Sequence, residues 1–377
     1  MKTLEEIRLE LDVIDKDIVR LFEERMKLCE DVAKYKIQTG MNVLDRNREN
    51  QKLDAVGELA NTEFGRKNVR ELFRQIMSLS RKLQYGIISE DAQPDLQRVH
   101  SLKELRSTIP KVIFQGMEGA YSQAALEQYF GEEKESLHVD TFKDAMEMVS
   151  AGQADYAVLP IENSSSGAIH QVYELLVQYN NYIVGETVIP VRHVLAACPG
   201  TEIGDIQRVL SHPQGLLQCR HYLEDHRDWQ QIGVENTAVA AMRIHREMDR
   251  TQAAICSEYA AGVYDLEILE RNMASEKDNS TRFIVVSSQK VFLNDADKIS
   301  ICFELPHESG SLYQILSHFI YNDLNMTKIE SMPVEGRAFE YRFFIDFEGN
   351  LNDTSVRNAL CGIAGEAKNL QILGNYL

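Results

Sequence analysis

Along the start of the chain, apolar residues return every three or four positions: Leu4, Ile7, Leu11, Ile14, Ile18, Leu21, Leu28, Val32 and Tyr35. That spacing predicts a long amphipathic helix packing along a coiled-coil-like seam. The pattern misses one beat, at Arg25. A later helix of the same segment shows the face Val69, Phe73, Ile76 and Leu83, with Ser80 set between its last two members and Gln84 one turn on. We read residues 1–85 as all-α, with three helices, and 86–108 as a linker in which charge, a proline and a weak helical pattern mix. From Lys111 the texture changes to short apolar runs alternating with amphipathic segments: "KVIFQG", "YAVLPIEN", "YIVGETVIPV", "RVLSHP", "AAICS" and "RFIVVSS". Such alternation predicts an α/β domain, here over 109–287. A polar bridge, "QKVFLNDAD", precedes a last unit, 298–377, whose elements run β-α-β-β-α-β, the order of a ferredoxin-like α+β fold.

Composition narrows the class. The chain has 377 residues, 44% hydrophobic and 26% charged, as expected of a multidomain soluble globular protein. No apolar run reaches the ~18 residues of a membrane span. The opening "MKTLEEIRLE" lacks the apolar core of a signal peptide, so a cytoplasmic location is expected. The six cysteines form no C-x-x-C pair and the ten histidines show no ligand spacing, so neither a disulfide framework nor a metal site is expected. The net charge of −18 is uneven: residues 1–100 hold 18 Lys and Arg against 19 Asp and Glu, the remainder 22 against 39. An acidic body argues against nucleic-acid binding. The near-neutral first hundred residues are where cations grouped around an anionic ligand are to be sought.

Arg25 on the seam must sit against partner helices, where a buried charge costs several kcal/mol unless paired. It either snorkels or pairs with a carboxylate, or it binds a ligand. Geometry raises the second reading: Lys36 projects within roughly 20° of Arg25 and about 16 Å along the axis, so two long side chains can converge on one small molecule. Arg8 lies about 25 Å from Arg25 and roughly 100° around the helix. To serve the same kind of site it must reach one supplied by another chain, which points to an intertwined dimer. Ser80 would ordinarily bond back to its own helix; with Gln84 it aims neutral donors into the bundle. Such a pocket suits a small dianion and offers no evident nucleophile or metal. Between the helices, "VLDRNREN" (43–50) begins a helix with Asp45 placed as N-cap.

These stretches, "IRLELDVIDKDIVRLFEERMKLCEDVAKYK", "VLDRNRE" and "LFRQIMSLSRKLQ", resemble the AroQ-type chorismate mutase family over nearly all of residues 1–85. The resemblance implies a substrate site made of Arg8 from the partner protomer, Arg25, Lys36, Asp45, Arg48, Glu49, Ser80 and Gln84. It implies the rearrangement of chorismate to prephenate, which needs no proton transfer or covalent intermediate. The enzyme holds a compact conformer and stabilises charge on the breaking ether oxygen. Arg8 and Arg25 would clamp carboxylates, Lys36 and Gln84 would donate to the ether oxygen, and Glu49 would accept from a substrate hydroxyl. Arg46 keeps the reading of a solvated helix start.

In the α/β segment four patches stand out. "FQGMEGAYS" (114–122) reads as a strand-to-helix turn facing a cleft, with Tyr121 and Ser122 near ligand. "PIENSSSGAI" (160–169) offers Glu162, Asn163 and the hydroxyls from Ser164 onward, either as a well-capped helix start or as an anion cradle. "LSHPQG" (210–215) brings Ser211, His212 and Gln214 to a strand end, and "DNSTRFIVV" (278–286) places Thr281 and Arg282 before an apolar strand. Together these resemble the prephenate dehydratase family, Thr281-Arg282-Phe283 being the most specific mark. The resemblance implies two α/β lobes, like a periplasmic binding protein, with the site in the cleft. It implies loss of carbon dioxide and water from prephenate to give phenylpyruvate. Thr281 would assist the departing hydroxyl, with Glu162, Asn163, Ser164, Ser211, Gln214 and Arg282 as polar contacts.

The last unit resembles an ACT regulatory domain that binds phenylalanine, through Gly310-Ser311-Leu312, Asn325 and Glu330-Ser331-Met332-Pro333. A methionine stands where that family usually has arginine, and it cannot pair a carboxylate. The resemblance implies feedback by L-phenylalanine through Gly310, Leu312, Asn325, Glu330 and Ser331, in a homo-oligomer that is at least a dimer. No cofactor is implied. Two rivals fare worse. A ligand-sensing regulator predicts a basic DNA-reading domain, and residues 1–100 hold none. A mutase fused to prephenate dehydrogenase predicts a G-x-G-x-x-G loop after a strand, which the sequence lacks.

Overall fold

The computed structural model describes residues 2–89, 96–105, 109–273, 278–305, 307–337 and 339–377. The chain divides into two compact units, Met1–Asp95 with Ile301–Ile372, and Leu96–Ser300 with Leu373–Leu377.

Three helices open the first unit: α1 (Leu4–Thr39), α2 (Arg46–Glu58) and α3 (Glu63–Ser89). Thr3 starts α1 with a capping box, its side chain accepting from the Glu6 N–H while the Glu6 carboxylate accepts from Thr3. Gly40 ends α1 at φ +67°, a left-handed cap that glycine adopts without steric cost. The seam of α1 is uncovered in the single chain: Ala33 is its one buried residue, while Leu4 and Leu28 are 64% and 66% exposed. The helix pattern is therefore present, but the packing it predicts is not made within one copy.

From residue 301 to 372 the unit continues through the later part of strand Lys298–Glu304, helix Ser311–Tyr321, strands Met326–Pro333 and Tyr341–Glu348, helix Thr354–Glu366 and the first part of strand Lys368–Tyr376. In the sheet the order is Met326–Pro333, Tyr341–Glu348, Lys298–Glu304, Lys368–Tyr376, so the first and last strands lie side by side. Met326–Pro333 is an edge strand, antiparallel to Tyr341–Glu348 with Glu330 opposite Phe344.

Among its described residues the second unit holds two large sheets and a two-stranded one. One large sheet runs Tyr182–Pro190, Ser280–Ser287, Tyr156–Asn163, Lys111–Gln115, Glu135–Val139; the other runs Glu267–Glu270, His193–Ala197, Gln252–Ser257, Arg208–Ser211, Gln230–Gly233. Each buries its own core, around Phe114, Val158 and Phe283 in the first and Leu195, Val209 and Ile255 in the second. The expected apolar runs are strands, "YAVLPIEN" residue for residue. The strands without an apolar run, Glu135–Val139, Gln230–Gly233 and Glu267–Glu270, all end a sheet, where one side of the ladder is open and charge is tolerated. Of the connector expected over 86–108, residues 90–95 and 106–108 lie outside the described residues. Residues 86–89 finish α3, and Gln97–Val99 pairs in parallel with Val291–Leu293 from the polar bridge.

Candidate active sites

In the helical segment, the left-handed turn at Gly40 brings the chain back across the end of α1. Lys36 Nζ then donates to the Val43 carbonyl at 2.6 Å. Burial lowers the Lys36 pKa, against the opposing pull of Asp45 and Glu49. Asp45 caps α2 by accepting from the Arg48 N–H at 2.9 Å. Arg25 Nη1 donates to Ser80 Oγ, and that hydroxyl donates to the Ile76 carbonyl at 2.7 Å. Ser80 is thus both back-bonded and joined to Arg25. Gln84 Nε2 donates to the Ser80 carbonyl at 3.1 Å, whereas its Oε1 is buried without a partner. A buried polar atom left so costs about 1–3 kcal/mol, a cost that a bound ligand can relieve.

Arg8 and Arg48 are exposed, and Arg8 lies in the uncovered half of α1. Glu49 accepts from Arg81 Nη1 at 2.6 Å. Nothing in the sequence pattern singles out Arg81, yet it is buried, its side chain 5% exposed. Arg46, read as solvated, pairs with Glu308, both partners being largely exposed.

In the second unit a cavity of about 790 Å³ opens between the strand ends of the two sheets. Its lining includes Gln115, Gly116, Tyr121, Ser122, Asn163, Ser166, His193, His212, Gln214, Gln218, Thr237, Thr281 and Phe283. The register explains how Asn163 and Thr281 meet. Thr281 stands opposite Asn163 and Arg282 opposite Glu162, but Phe283 stands opposite Pro160, so Ile161 is an extra residue in the ladder. That bulge puts Pro160 and Asn163 on the same face as Thr281 and Phe283. Asn163 Nδ2 donates to Thr281 Oγ1 at 2.9 Å and to Asn279 Oδ1 at 2.7 Å. Its Oδ1 accepts from the backbone N–H groups of Ser165 and Ser166, which fixes the orientation of the amide.

Four expected contacts are turned away from the cavity. Arg282, one residue from Thr281, projects from the other side of its strand and pairs with Glu162 at 3.2 Å and Glu186 at 3.1 Å. Glu162 goes with it. Ser164 ties the two strand ends together, donating to the Asp278 carbonyl at 3.2 Å and accepting from the Ser280 N–H at 2.9 Å. Ser211 is fully buried and donates to the Ile255 carbonyl at 2.7 Å. Conversely, the sequence gives no sign of His193, because its strand follows directly on another apolar run. Its Nε2 lies 2.8 Å from Gln218 Oε1 and its Nδ1 3.4 Å from the Tyr121 hydroxyl. Burial lowers its pKa, outweighing the Gln218 contact, so it stays neutral.

Among the described residues, the lining contains no lysine or arginine. Helices Tyr121–Phe130 and Thr237–Glu247 begin at its wall, and Ala120 gives the first no side-chain cap, leaving N–H groups for an anion.

In the C-terminal segment Gly310 starts helix Ser311–Tyr321 at φ +81°. Leu312 lines a cavity of about 100 Å³ with Leu305, Tyr341 and Phe343. Asn325, Glu330 and Ser331 lie outside that cavity, at or on the edge strand, and Met332 is buried beside them. Among the described residues no cluster of metal-ligating side chains is present, and no helix is long and apolar enough to cross a membrane.

Comparison with known proteins matches two family models, chorismate mutase type II over residues 7–85 and prephenate dehydratase over 112–291. A bifunctional chorismate mutase/prephenate dehydratase of Aquifex aeolicus is 32% identical, covering 100% of this chain and 98% of its own. Among solved structures, the prephenate dehydratase from Arthrobacter aurescens in complex with L-Phe is 32% identical. It covers 71% of this chain and 89% of its own, with a TM-score of 0.65. A structure described as GqqA, of a novel type of quorum quenching acylases, is 30% identical over 71% of this chain and 97% of its own, also with a TM-score of 0.65.

Proposed function

Because this chain belongs to the family of bifunctional chorismate mutase/prephenate dehydratases, we propose that its two chemistries use the two constellations described above. The protein rearranges chorismate to prephenate and converts prephenate to phenylpyruvate, on the route to phenylalanine. Lys36 and Gln84 face the breaking ether oxygen, and Arg25 and Arg48 take carboxylates. Ser80 positions Arg25, Asp45 fixes the start of α2, and Glu49 accepts from the ring hydroxyl. The exposed seam of α1 supports a second copy lying along it, which would bring the partner's first helix, and so its copy of Arg8, to this pocket.

Dehydration takes place in the 790 Å³ cavity. The ring carboxylate leaves as carbon dioxide, its bonding pair aromatises the ring, and the ring hydroxyl departs as water after taking up one proton, ultimately from solvent. Thr281 Oγ1 already accepts from Asn163, so its own O–H is free to donate to the departing oxygen. The two helix N-termini, with Ser122, Gln214 and Thr237, receive the carboxylates in place of cations. Glu162, Arg282, Ser164 and Ser211 support the strands beneath. The contact between Asn163 and Thr281 carries this reading. Thr281→Ala should abolish phenylpyruvate formation while chorismate is still consumed and prephenate accumulates. Loss of both activities in a folded variant would contradict separate sites.

The C-terminal β-α-β-β-α-β segment is a ferredoxin-like ACT unit that takes L-phenylalanine as effector. The L-Phe in the Arthrobacter aurescens relative supports this. Gly310 and Leu312 provide one side of that site. Glu330 and Ser331 on the edge strand, with Asn325 just before it, complete it when a second copy is apposed. A phenylalanine titration of dehydratase activity tests it, and no inhibition would remove it.

A further inference from the structure

We propose that Arg81 is a positioning residue for Glu49, and that through it the C-terminal segment acts directly on the mutase site. The proposal rests on the reading of Glu49 as a mutase-site residue. Arg81 follows Ser80 on α3 and sits one turn before Tyr85. Its guanidinium is divided between two carboxylates: Nη1 donates to Glu49 Oε1 at 2.6 Å, and Nε donates to Glu366 Oε1 at 2.7 Å. Glu366 lies in helix Thr354–Glu366, and its side chain is 4% exposed. His318 Nε2, from helix Ser311–Tyr321, stands 3.4 Å from the same Glu366 oxygen. Four helices, α2, α3, Ser311–Tyr321 and Thr354–Glu366, therefore meet on one buried charge cluster, and Glu49, with 24% of its side chain exposed, is its outer end.

The packing around the cluster is built for close approach. A Cβ at Gly362 would fall 2.4 Å from the His318 ring, and one at Gly365 would fall 2.4 Å from the Tyr85 hydroxyl. These two glycines let both rings press onto the helix that carries Glu366. Burial would push the Glu366 carboxyl up, but His318 and Arg81 outweigh it and hold it below the usual range, so the carboxylate is charged. A planar guanidinium transmits orientation that a point charge would not. Any movement of helix Thr354–Glu366 against α3 changes the share of Arg81 left for Glu49. Losing Glu366 frees Arg81 to draw Glu49 into a tighter pair, and the Glu49 oxygen becomes less available to a substrate hydroxyl.

The test is a double-mutant cycle in the full-length protein, Glu366→Gln against Glu49→Gln, reading mutase and dehydratase kinetics on the same preparations. Glu366→Gln should lower mutase kcat/KM about tenfold, mainly through KM, and leave dehydratase kcat/KM within about twofold. In the Glu49→Gln background the same change should have less than about a twofold effect on the mutase. Equal effects in both backgrounds, or no effect of Glu366→Gln alone, would overturn the proposal. A Glu49→Gln protein with normal mutase kinetics would instead overturn the assignment of Glu49 on which it rests. If Glu366→Gln does not fold, Arg81→Met with Glu366→Leu replaces the buried pair by apolar groups, a change that such pairs commonly tolerate. A folded double variant with unchanged mutase KM also overturns the proposal.

Discussion

Replacing Asn163 by aspartate changes one atom of the dehydratase cavity and reverses the direction of its central hydrogen bond. In the native protein Asn163 Nδ2 donates to Thr281 Oγ1 at 2.9 Å, and the proposed mechanism uses the threonine proton that this bond leaves free. A carboxylate at 163 can only accept, so Thr281 O–H would turn to it. The bonds from the Ser165 and Ser166 N–H groups, at 3.1 and 3.0 Å, are acceptor bonds that aspartate keeps, whereas the Nδ2 bonds to Asn279 Oδ1 and the Ser280 carbonyl, at 2.7 and 3.2 Å, are lost, so a lower unfolding temperature should accompany the change. Drawing the hydroxyl away from a carboxylate costs about 1.5–3 kcal/mol for a bond to a charged group. At about 1.4 kcal/mol per tenfold, dehydratase kcat should fall roughly 10- to 150-fold. The added negative charge, facing a dianion, should raise KM as well. Mutase activity, housed in the other unit, should be unchanged. The pH dependence carries a sign: once the introduced carboxylate is protonated, near a usual carboxyl pKa of about 4, it donates again. Activity relative to native should therefore recover as pH falls and be lowest above neutrality. Initial rates of phenylpyruvate formation from prephenate across pH, with thermal unfolding as the folding control, decide the matter. A folded Asn163→Asp protein with kcat within about threefold of native at pH 8 would refute the reasoning.

Three further outcomes are expected. Chains carrying Arg8→Ala and Arg25→Ala, each inactive alone as a mutase, should regain partial activity when mixed into heterodimers, because one site of the pair is then intact; demonstrated heterodimers without recovery would remove the shared site. Burial lowers the Lys36 pKa, and the lysine must be charged to donate to the ether oxygen, so mutase activity should decline as pH rises through that lowered value, before an ordinary lysine would titrate; a profile flat to pH 10.5 would contradict it. Ser211→Ala should cost about 1–3 kcal/mol of stability, since the buried Ile255 carbonyl loses its donor, while dehydratase KM stays near native; a large rise in KM with unchanged stability would place Ser211 in the cavity after all.

How far the sequence reaches depends on whether a property is local. The periodicity of the first helix, the Asp45 cap and the strand "YAVLPIEN" are local patterns, and each element is present, although the seam of that helix is not packed within one copy. The pairing of Thr281 with Asn163 could be suspected only from two polar strand ends, since 118 positions separate them. Their neighbours show the limit more sharply. Thr281 and Arg282 cannot both face one cavity, because successive side chains of a strand alternate, so strand parity alone excludes one of the two. On the partner strand parity misleads: Asn163 joins Pro160 on the cavity face only because Ile161 is bulged, and a bulge is a property of the ladder rather than of either sequence. Arg81 is the extreme case. Beside Ser80 it reads as one more charge on a helix, and nothing within a few residues marks it as buried. Its partner Glu366 lies 285 positions away. The local code therefore carries the elements, their caps and the residue types of each site, while side-chain facing and charge burial are set by long-range pairing. For that reason the residues that support a site were harder to see in the sequence than those that line it.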